Sequence, residues 1–354
     1  MIVLRTAMDC ALIVKPPSAY GILDGDRQSK DIGKMPQGTP ELHTPATPDR
    51  PTHIQHPADV YFNPAWRWAI AVGALLGVGL IKQQRWGLIA TLGALCAAIL
   101  RYAAKHEPAQ PQVIDIHIHD KRIPVGFDGF TIGQISDIHL GQPYSDANLR
   151  WAVATLKILS PDLIVLTGDL VNDRPAIARL PYYLRQLHAP YGVYAITGNH
   201  DYVEGIADVM QALHFAGVPL LRNQGFVLNH NGDNIWVAGA DDIWHGQMRI
   251  DHAIADAPAT MPILLLAHAP DAIYEANTYP NIFLQLAGHV HGGHIRLPGL
   301  GPLVRPRYGR WFTHGTQRVQ HTWLHISLGL SGRPLRLGNP PEVGLIHLHA
   351  TTED

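Results

Sequence analysis

IFLQLAGHVHGGH, residues 282–294, is an apolar run that breaks into a loop with three histidines and three glycines. A short continuous apolar run bounded by glycine suits a buried β-strand. Glycine allows tight turns and histidine is the commonest metal ligand near neutral pH, so the loop is expected to bind metal.

Four other apolar runs end in the same way. TIGQIS (131–136) meets Asp137-Ile138-His139, and DLIVLT (162–167) meets Gly168-Asp169. GVYAIT (192–197) meets Gly198-Asn199-His200-Asp201, and ILLLA (263–267) meets His268. Helical stretches separate them: DANLRWAVATLKIL, a segment near 175–188, and IADVMQALHFAG with Gly217 as a C-cap. GFVLN–HNGD–NIWVAG is a hairpin, and WLHISLGL and VGLIHLHA add strands. This alternation predicts an α/β domain over residues 113–350. In such sheets the carboxyl ends of the strands form the ligand crevice. Asp137 and His139, like His289 and His291, are two apart, so extended backbone would point both members of a pair the same way. Taken singly these residues are ordinary: an Asp after a strand is commonly a turn former or helix N-cap. Five strand ends in succession carry the metal reading.

Composition narrows the chemistry. A chain of 354 residues that is 46% hydrophobic has ample core for one large domain or two ordinary ones. A net charge of −2 argues against a general nucleic-acid binder, and no nucleic acid is expected as a partner. Cys10 and Cys96 supply no thiolate site or disulfide scaffold, whereas there are 22 histidines. Metal chemistry here has to use His, Asp and Asn.

Residues 1–60 are rich in Pro, Gly and polar residues without periodicity, and are expected to be a disordered tail or the product of a misassigned start codon. Arg5 and Asp9 within the first apolar stretch make it a poor signal peptide. Over residues 65–101, two apolar runs flank KQQR, with Trp66, Trp68 and Trp86 at their edges. They predict a transmembrane helical hairpin; the alternative, a buried pair in a soluble domain, is disfavoured because neither run has a polar face. Lys82 and Arg85 favour a cytoplasmic turn, but the larger cluster of Arg101, Lys105, Lys121 and Arg122 favours a cytoplasmic catalytic domain. The expected location is a cell membrane.

In the order D-x-H, GD, GNHD, a lone His and GHxH, these motifs resemble the calcineurin-like metallophosphoesterase superfamily. The flanking text FDGFTIGQISDIHLG, LTGDLV, ITGNHDY, LLAHAPD and LAGHVHGGHIRLP is similar to its membrane-anchored bacterial branch, which includes phosphodiesterases and a UDP-2,3-diacylglucosamine pyrophosphatase. The resemblance spans roughly residues 113–350 and implies a four-layer αββα sandwich. It also implies two divalent ions, Mn2+ first, with Fe, Zn2+ or Ni2+ compatible with the donor set. Asp137, His139, Asp169 and His291 would hold one ion; Asp169, Asn199, His268 and His289 would hold the other. The implied reaction is in-line attack on a phosphodiester or pyrophosphate by a metal-activated water. His200 would face the phosphate, stabilising charge or protonating the leaving oxygen. Asp201 would either take the other ring proton of His200 or stabilise a turn. Relatives often read GDxxD, whereas here Asp173 falls one place late and stays outside the core site. Asp241 and Asp242 would line the crevice or serve as ordinary loop acids, and His294 is unassigned.

Arg296, Arg305, Arg307 and Arg310, interleaved with Tyr308, Trp311 and Phe312, form either a basic substrate-binding rim or a solvated loop. With the hairpin, the rim favours a lipid-linked substrate at the bilayer. Two competing functions stand beside this one: a phosphomonoesterase or soluble-nucleotide phosphatase on the same scaffold, and a non-catalytic membrane-bound binding protein.

Overall fold

The structure, a computed structural model, describes residues 60–352. The tail expected over residues 1–60 thus lies, except for its last residue, outside the described residues. Strand β1 (Val60–Phe62) leads into helices α1 (Pro64–Lys82) and α2 (Trp86–Lys105). Both helices are long and apolar enough to cross a membrane. They are not a buried pair, since no residue of α1 and only Ala103 of α2 is buried, and Trp68 and Leu75 are 75% and 73% exposed.

The chain then builds two sheets. In order come β2 (Gln112–Asp120), β3 (Thr131–Ile135), α3 (Ser145–Leu159), β4 (Leu163–Thr167), α4 (Leu180–Leu184), β5 (Val193–Ile196) and α5 (Asn199–Ala216). There follow β6 (Gln224–His230), β7 (Asp233–Gly239), α6 (Ile250–Ala253), β8 (Ile263–Leu266), α7 (Ile273–Ala276) and β9 (Ile282–Ala287). The last segment carries β10 (Arg296–Leu297), β11 (Gly301–Pro302), β12 (Val304–Pro306), β13 (Gly315–Val319), β14 (Thr322–Ile326) and β15 (Glu342–Ala350). One sheet has the order β2-β15-β3-β4-β5 and the other β13-β14-β9-β8-β7-β6. β3, β4 and β5 are parallel to one another, as are β7, β8, β9 and β14.

The two-residue period of a strand explains the layering. Leu163 and Val165 of β4 meet Leu264 and Leu266 of β8 in a core between the sheets. Ile164 and Leu166 face the other way, onto Leu149 and Leu156 of α3 and Leu213 of α5. Ile263 and Leu265 likewise turn outward onto Ile250 of α6 and Ile273 of α7. This is the expected αββα sandwich. Each fully buried Leu or Ile in it contributes roughly 1.5–3 kcal/mol.

Three details differ from the sequence reading. The helix expected near 175–188 is a 3-10 segment, Arg174–Arg179, followed by the short α4. Pro175 and Pro181, which have no N–H to donate, interrupt it. α5 begins at Asn199 rather than Ile206 and breaks at Gly205, where φ is 129°. β2 was not anticipated as a strand. The hairpin turn falls on Asn231 and Gly232, at φ 50° and 87°, as an Asn-Gly turn requires.

His325 of β14 is buried; its Nδ1 lies 2.8 Å from Thr316 Oγ1 and its Nε2 has no partner among the described residues. Burial pushes the ring down to about 4 from 6.5. The unfolded chain therefore takes up a proton near pH 6.5 that the folded chain refuses until about pH 4, so stability falls as pH drops through that window, by about 3 kcal/mol. In denaturant titrations at pH 5 and 7.5, His325→Gln is expected to lose less stability on acidification than wild type. Equal losses would show that the ring is not held neutral.

Candidate metal centre

The ends of five strands, three from one sheet and two from the other, converge at one edge of the sandwich. Beyond β3 come Asp137 and His139; beyond β4, Asp169; beyond β5, Asn199 and His200; beyond β8, His268; beyond β9, His289 and His291. Backbone bonds lock neighbouring loops together: Asp137 N–H donates to Gly168 O (3.0 Å), His139 N–H to Asp169 O (2.9 Å) and Gly288 N–H to His268 O (2.9 Å). All of these side chains are buried except His200, which is half-buried. Their donor atoms form three groups within 4.8 Å: Asp137, His139 and His291; His139, Asp169 and His200; Asp169, His268 and His289. Asp169 and His139 each belong to two of the groups, so the cluster is continuous.

The backbone at these positions is not extended, which corrects the reasoning from two-residue spacing. Asp137, His139, Asp169, His289 and His291 all take positive φ, at 53°, 45°, 52°, 73° and 52°. Left-handed backbone at a non-glycine residue is sparsely populated, and it concentrates where surrounding structure over-determines a site. Here the strands have already ended, and each loop curls to aim a donor inward.

Ring hydrogen bonds fix which nitrogen of each imidazole is free. His139 Nδ1 donates to Asn172 Oδ1 (3.0 Å), and His268 Nδ1 to Thr167 O (2.8 Å). His289 Nε2 donates to Arg307 O (2.6 Å). These acceptors have no proton to give, so the opposite nitrogen keeps its lone pair, the usual second-sphere arrangement around a metal-bound imidazole. His291 differs: Arg336 Nη2 donates to its Nδ1 (3.1 Å), and its Nε2 is the nitrogen turned toward the other donors, 3.1 Å from His139 Nε2. Asn199 Oδ1 is buried with no hydrogen-bond partner among the described residues, whereas His268 Nε2 faces Asp169 Oδ2 at 3.3 Å. A buried orphan acceptor is costly, and a cation would satisfy it. Oxygen and imidazole donors without thiolate fit a hard or borderline divalent ion.

The charges point the same way. Burial would raise Asp169, yet the imidazoles of His268, His139 and His200 outweigh it and hold the carboxyl well below its ordinary range. Burial lifts Asp137 to about 6 and depresses His139 to about 3 and His289 to about 4. His268 goes against its own burial, up to about 10, because Asp169 Oδ2 lies 3.3 Å from its Nε2. The cluster thus favours a positive charge beside Asp169.

The other expected residues separate. The Asp201 carboxylate accepts N–H groups from Leu170 (2.8 Å), Val171 (3.3 Å) and Gly198 (2.9 Å), so it ties two loops together instead of taking the ring proton of His200. Arg307 lies over Trp244 and Tyr308, 5.6 and 4.8 Å from the ring centres, beside His289. Arg305 donates to Arg310 O (3.3 Å). Arg296 bonds to Gly338 O and His314 and lines a cavity of about 460 Å³, together with His117, His325 and Glu342 but none of the metal-capable residues. Asp241 binds Tyr202, Arg222 and Thr197, and Asp242 caps the backbone of Trp244 and His245. His294 stacks on His291 at 4.9 Å. Two contributors escaped the sequence reading. Asn172 occupies the place of the second acid in GDxxD, and its position relative to Asp169 was the available signal. Arg336, 1% exposed, gave none.

The family model described as calcineurin-like phosphoesterase matches residues 130–293, a span that contains every metal-capable residue above. An uncharacterized metallophosphoesterase of Bacillus subtilis (strain 168) is 34% identical over 283 residues, 76% of this chain and 98% of that protein. A transmembrane protein with metallophosphoesterase domain from Danio rerio is 32% identical over 285 residues, 75% of this chain and 62% of that protein. A UDP-2,3-diacylglucosamine pyrophosphatase from Chlamydia trachomatis serovar D is 28% identical over 321 residues, 73% of this chain and 97% of that protein.

Close packing at Gly288 supplies a test of the geometry. A Cβ there would lie 1.9 Å from Ser136 Oγ and 2.2 Å from Asp137 Oδ2. Gly288→Ala must therefore push Asp137 out of place, and its Mn2+ affinity, measured by isothermal titration, is expected to fall about tenfold or more. Unchanged affinity would remove Asp137 from the ion-binding set.

Proposed function

This chain belongs to the calcineurin-like phosphoesterase family, and we propose that it is a membrane-anchored hydrolase of phosphodiester or pyrophosphate bonds in a lipid-linked substrate. The observation that carries this reading is the run of three donor groups linked through His139 and Asp169. Asp137, His139, Asp169 and His291 would hold one divalent ion, and Asp169, Asn199, His268 and His289 the second. We assign manganese first. Bound there, such ions supply Lewis acidity to the phosphoryl oxygens and lower the pKa of the attacking water.

The protein's own groups do the rest. The backbone N–H of His200 donates to Asp169 Oδ1 at 2.8 Å, which fixes the residue at the mouth of the centre. Its half-buried imidazole stands edge-on to His139 at 4.7 Å, placed to neutralise phosphate charge or give a proton to the leaving oxygen. Asp201 keeps the loops of Asp169 and His200 in register. Arg307, backed by Trp244 and Tyr308, is the side chain we assign to the substrate's anionic groups, with Arg305 beside it; Arg296 would act only on a group that reaches its separate cavity.

The two apolar helices and the names of the Danio rerio and Chlamydia relatives support a substrate at the membrane. In this reading residues 65–101 sit in the bacterial inner membrane, residues 113–350 form the catalytic domain on the cytoplasmic side, and residues 1–60 are a tail.

The full chain in detergent micelles should cleave bis-p-nitrophenyl phosphate faster than p-nitrophenyl phosphate, with Mn2+ required and EDTA abolishing turnover. His200→Ala should lower kcat by about 10²–10⁴-fold. A preference for the monoester would replace the diesterase reading with the phosphatase one, and full activity in the variant would remove His200 from the chemistry.

A further inference from the structure

The hairpin joins the catalytic domain at two places, and each adjoins one histidine of the GHVH loop. At the α1 end, β1 pairs with β12 from Val60↔Pro306 to Phe62↔Val304. Asn63 Nδ2 donates to Leu300 O and Pro302 O at 3.0 and 2.8 Å, and Trp66 Nε1 to Gly301 O at 3.2 Å. Backbone stitched in this way continues directly into Arg307, whose carbonyl receives the Nε2 proton of His289.

At the α2 end, Ala103 O accepts the N–H of Arg336 at 2.9 Å, and Glu107 Oε1 accepts that of Asn339 at 2.6 Å. The Arg336 guanidinium, also bonded to Leu328 O and Asn339 O, donates to His291 Nδ1. Asn339 Nδ2 reaches Gly292 O at 3.1 Å, next to that histidine.

A simple anchor needs only a tether, and a tether would leave its polar groups in water. Here Asn63, Glu107 and Arg336 are 8%, 6% and 1% exposed. Burying polar groups is costly unless each is bonded, so these joints hold a fixed geometry. We propose that the hairpin is a structural arm of the metal centre: the α1 joint sets His289 and the α2 joint sets His291, so the two joints together set how tightly the centre keeps its ions. The inference rests on the reading that the centre binds two divalent ions.

The test uses the full chain in phosphatidylcholine nanodiscs titrated with Mn2+, with free and bound ion followed by electron paramagnetic resonance. Asn63→Ala should weaken one ion about 10–100-fold, and Glu107→Ala the other, the range usual for residues that support metal ligands. In each variant the spectrum of a coupled ion pair should give way to that of an isolated Mn2+. Trp66→Phe, which removes a single bond, should produce a smaller shift in the same direction as Asn63→Ala. Leu92→Ala, on an exposed face of α2, should bind as wild type does. Melting of the ion-free variants separates a shifted site from an unfolded chain.

Wild-type affinity for both ions in Asn63→Ala and Glu107→Ala would overturn the inference while leaving the proposed function intact. Equal weakening in Leu92→Ala would also overturn it, since the effect would then be general destabilisation. A wild-type chain that binds no Mn2+ would overturn both.

Discussion

One buried carboxylate organises the centre. Asp169 Oδ1 receives the N–H of His200, its Oδ2 lies 3.6 Å from His139 and 3.3 Å from His268, and its backbone carbonyl receives the N–H of His139. Crowding around it dictates its neighbours. A Cβ on Gly198 would lie 2.3 Å from both Asp169 N and Oδ1, and one on Gly168 would lie 2.6 Å from His268 Nδ1. The glycines of GD and GNHD are thus spaces that let two strand ends close on one acid. The αββα sandwich serves the same end, because facing β4 against β8 brings their last residues to a common edge.

Much of this was legible in the chain. Apolar runs that end abruptly in Asp, Asn and His mark both strand and site, since the residue types change where the sheet stops. Five motifs in order carry the family's pattern. Local conformation was not legible. Spacing of two implies a shared face only on extended backbone, and Asp137, His139, His289 and His291 are all left-handed. Pro175 and Pro181 are the sequence signal that the helix around 175–188 is short. β2 was hidden for a different reason: its alternation mixes exposed histidines with buried isoleucines, and its partner β15 lies far along the chain.

Support for the histidines lay beyond sequence reasoning altogether. Hydropathy identifies the hairpin, because a long apolar run is a local property. The joints that connect it to the centre pair residues remote in sequence, such as Glu107 with Asn339 and Asn63 with Pro302. The arginine-rich loop shows the same limit. Composition groups Arg296 with Arg305 and Arg307, but the fold turns Arg296 into another cavity and leaves the backbone carbonyl of Arg307, invisible to any motif, as the contact that orients a histidine.

The position of β15 has a consequence for how the molecule is made. It lies between β2 and β3, parallel to one and antiparallel to the other, and joins side chains as far apart as Asp115 and His347, 232 positions along the chain. Until residues 342–350 leave the ribosome, β2 and β3 have no common neighbour and the sheet stays open. The two apolar helices emerge well before that. Synthesis therefore delivers the apolar helices well before the strand that joins β2 to β3, so the centre is completed on a chain whose apolar helices were made long before.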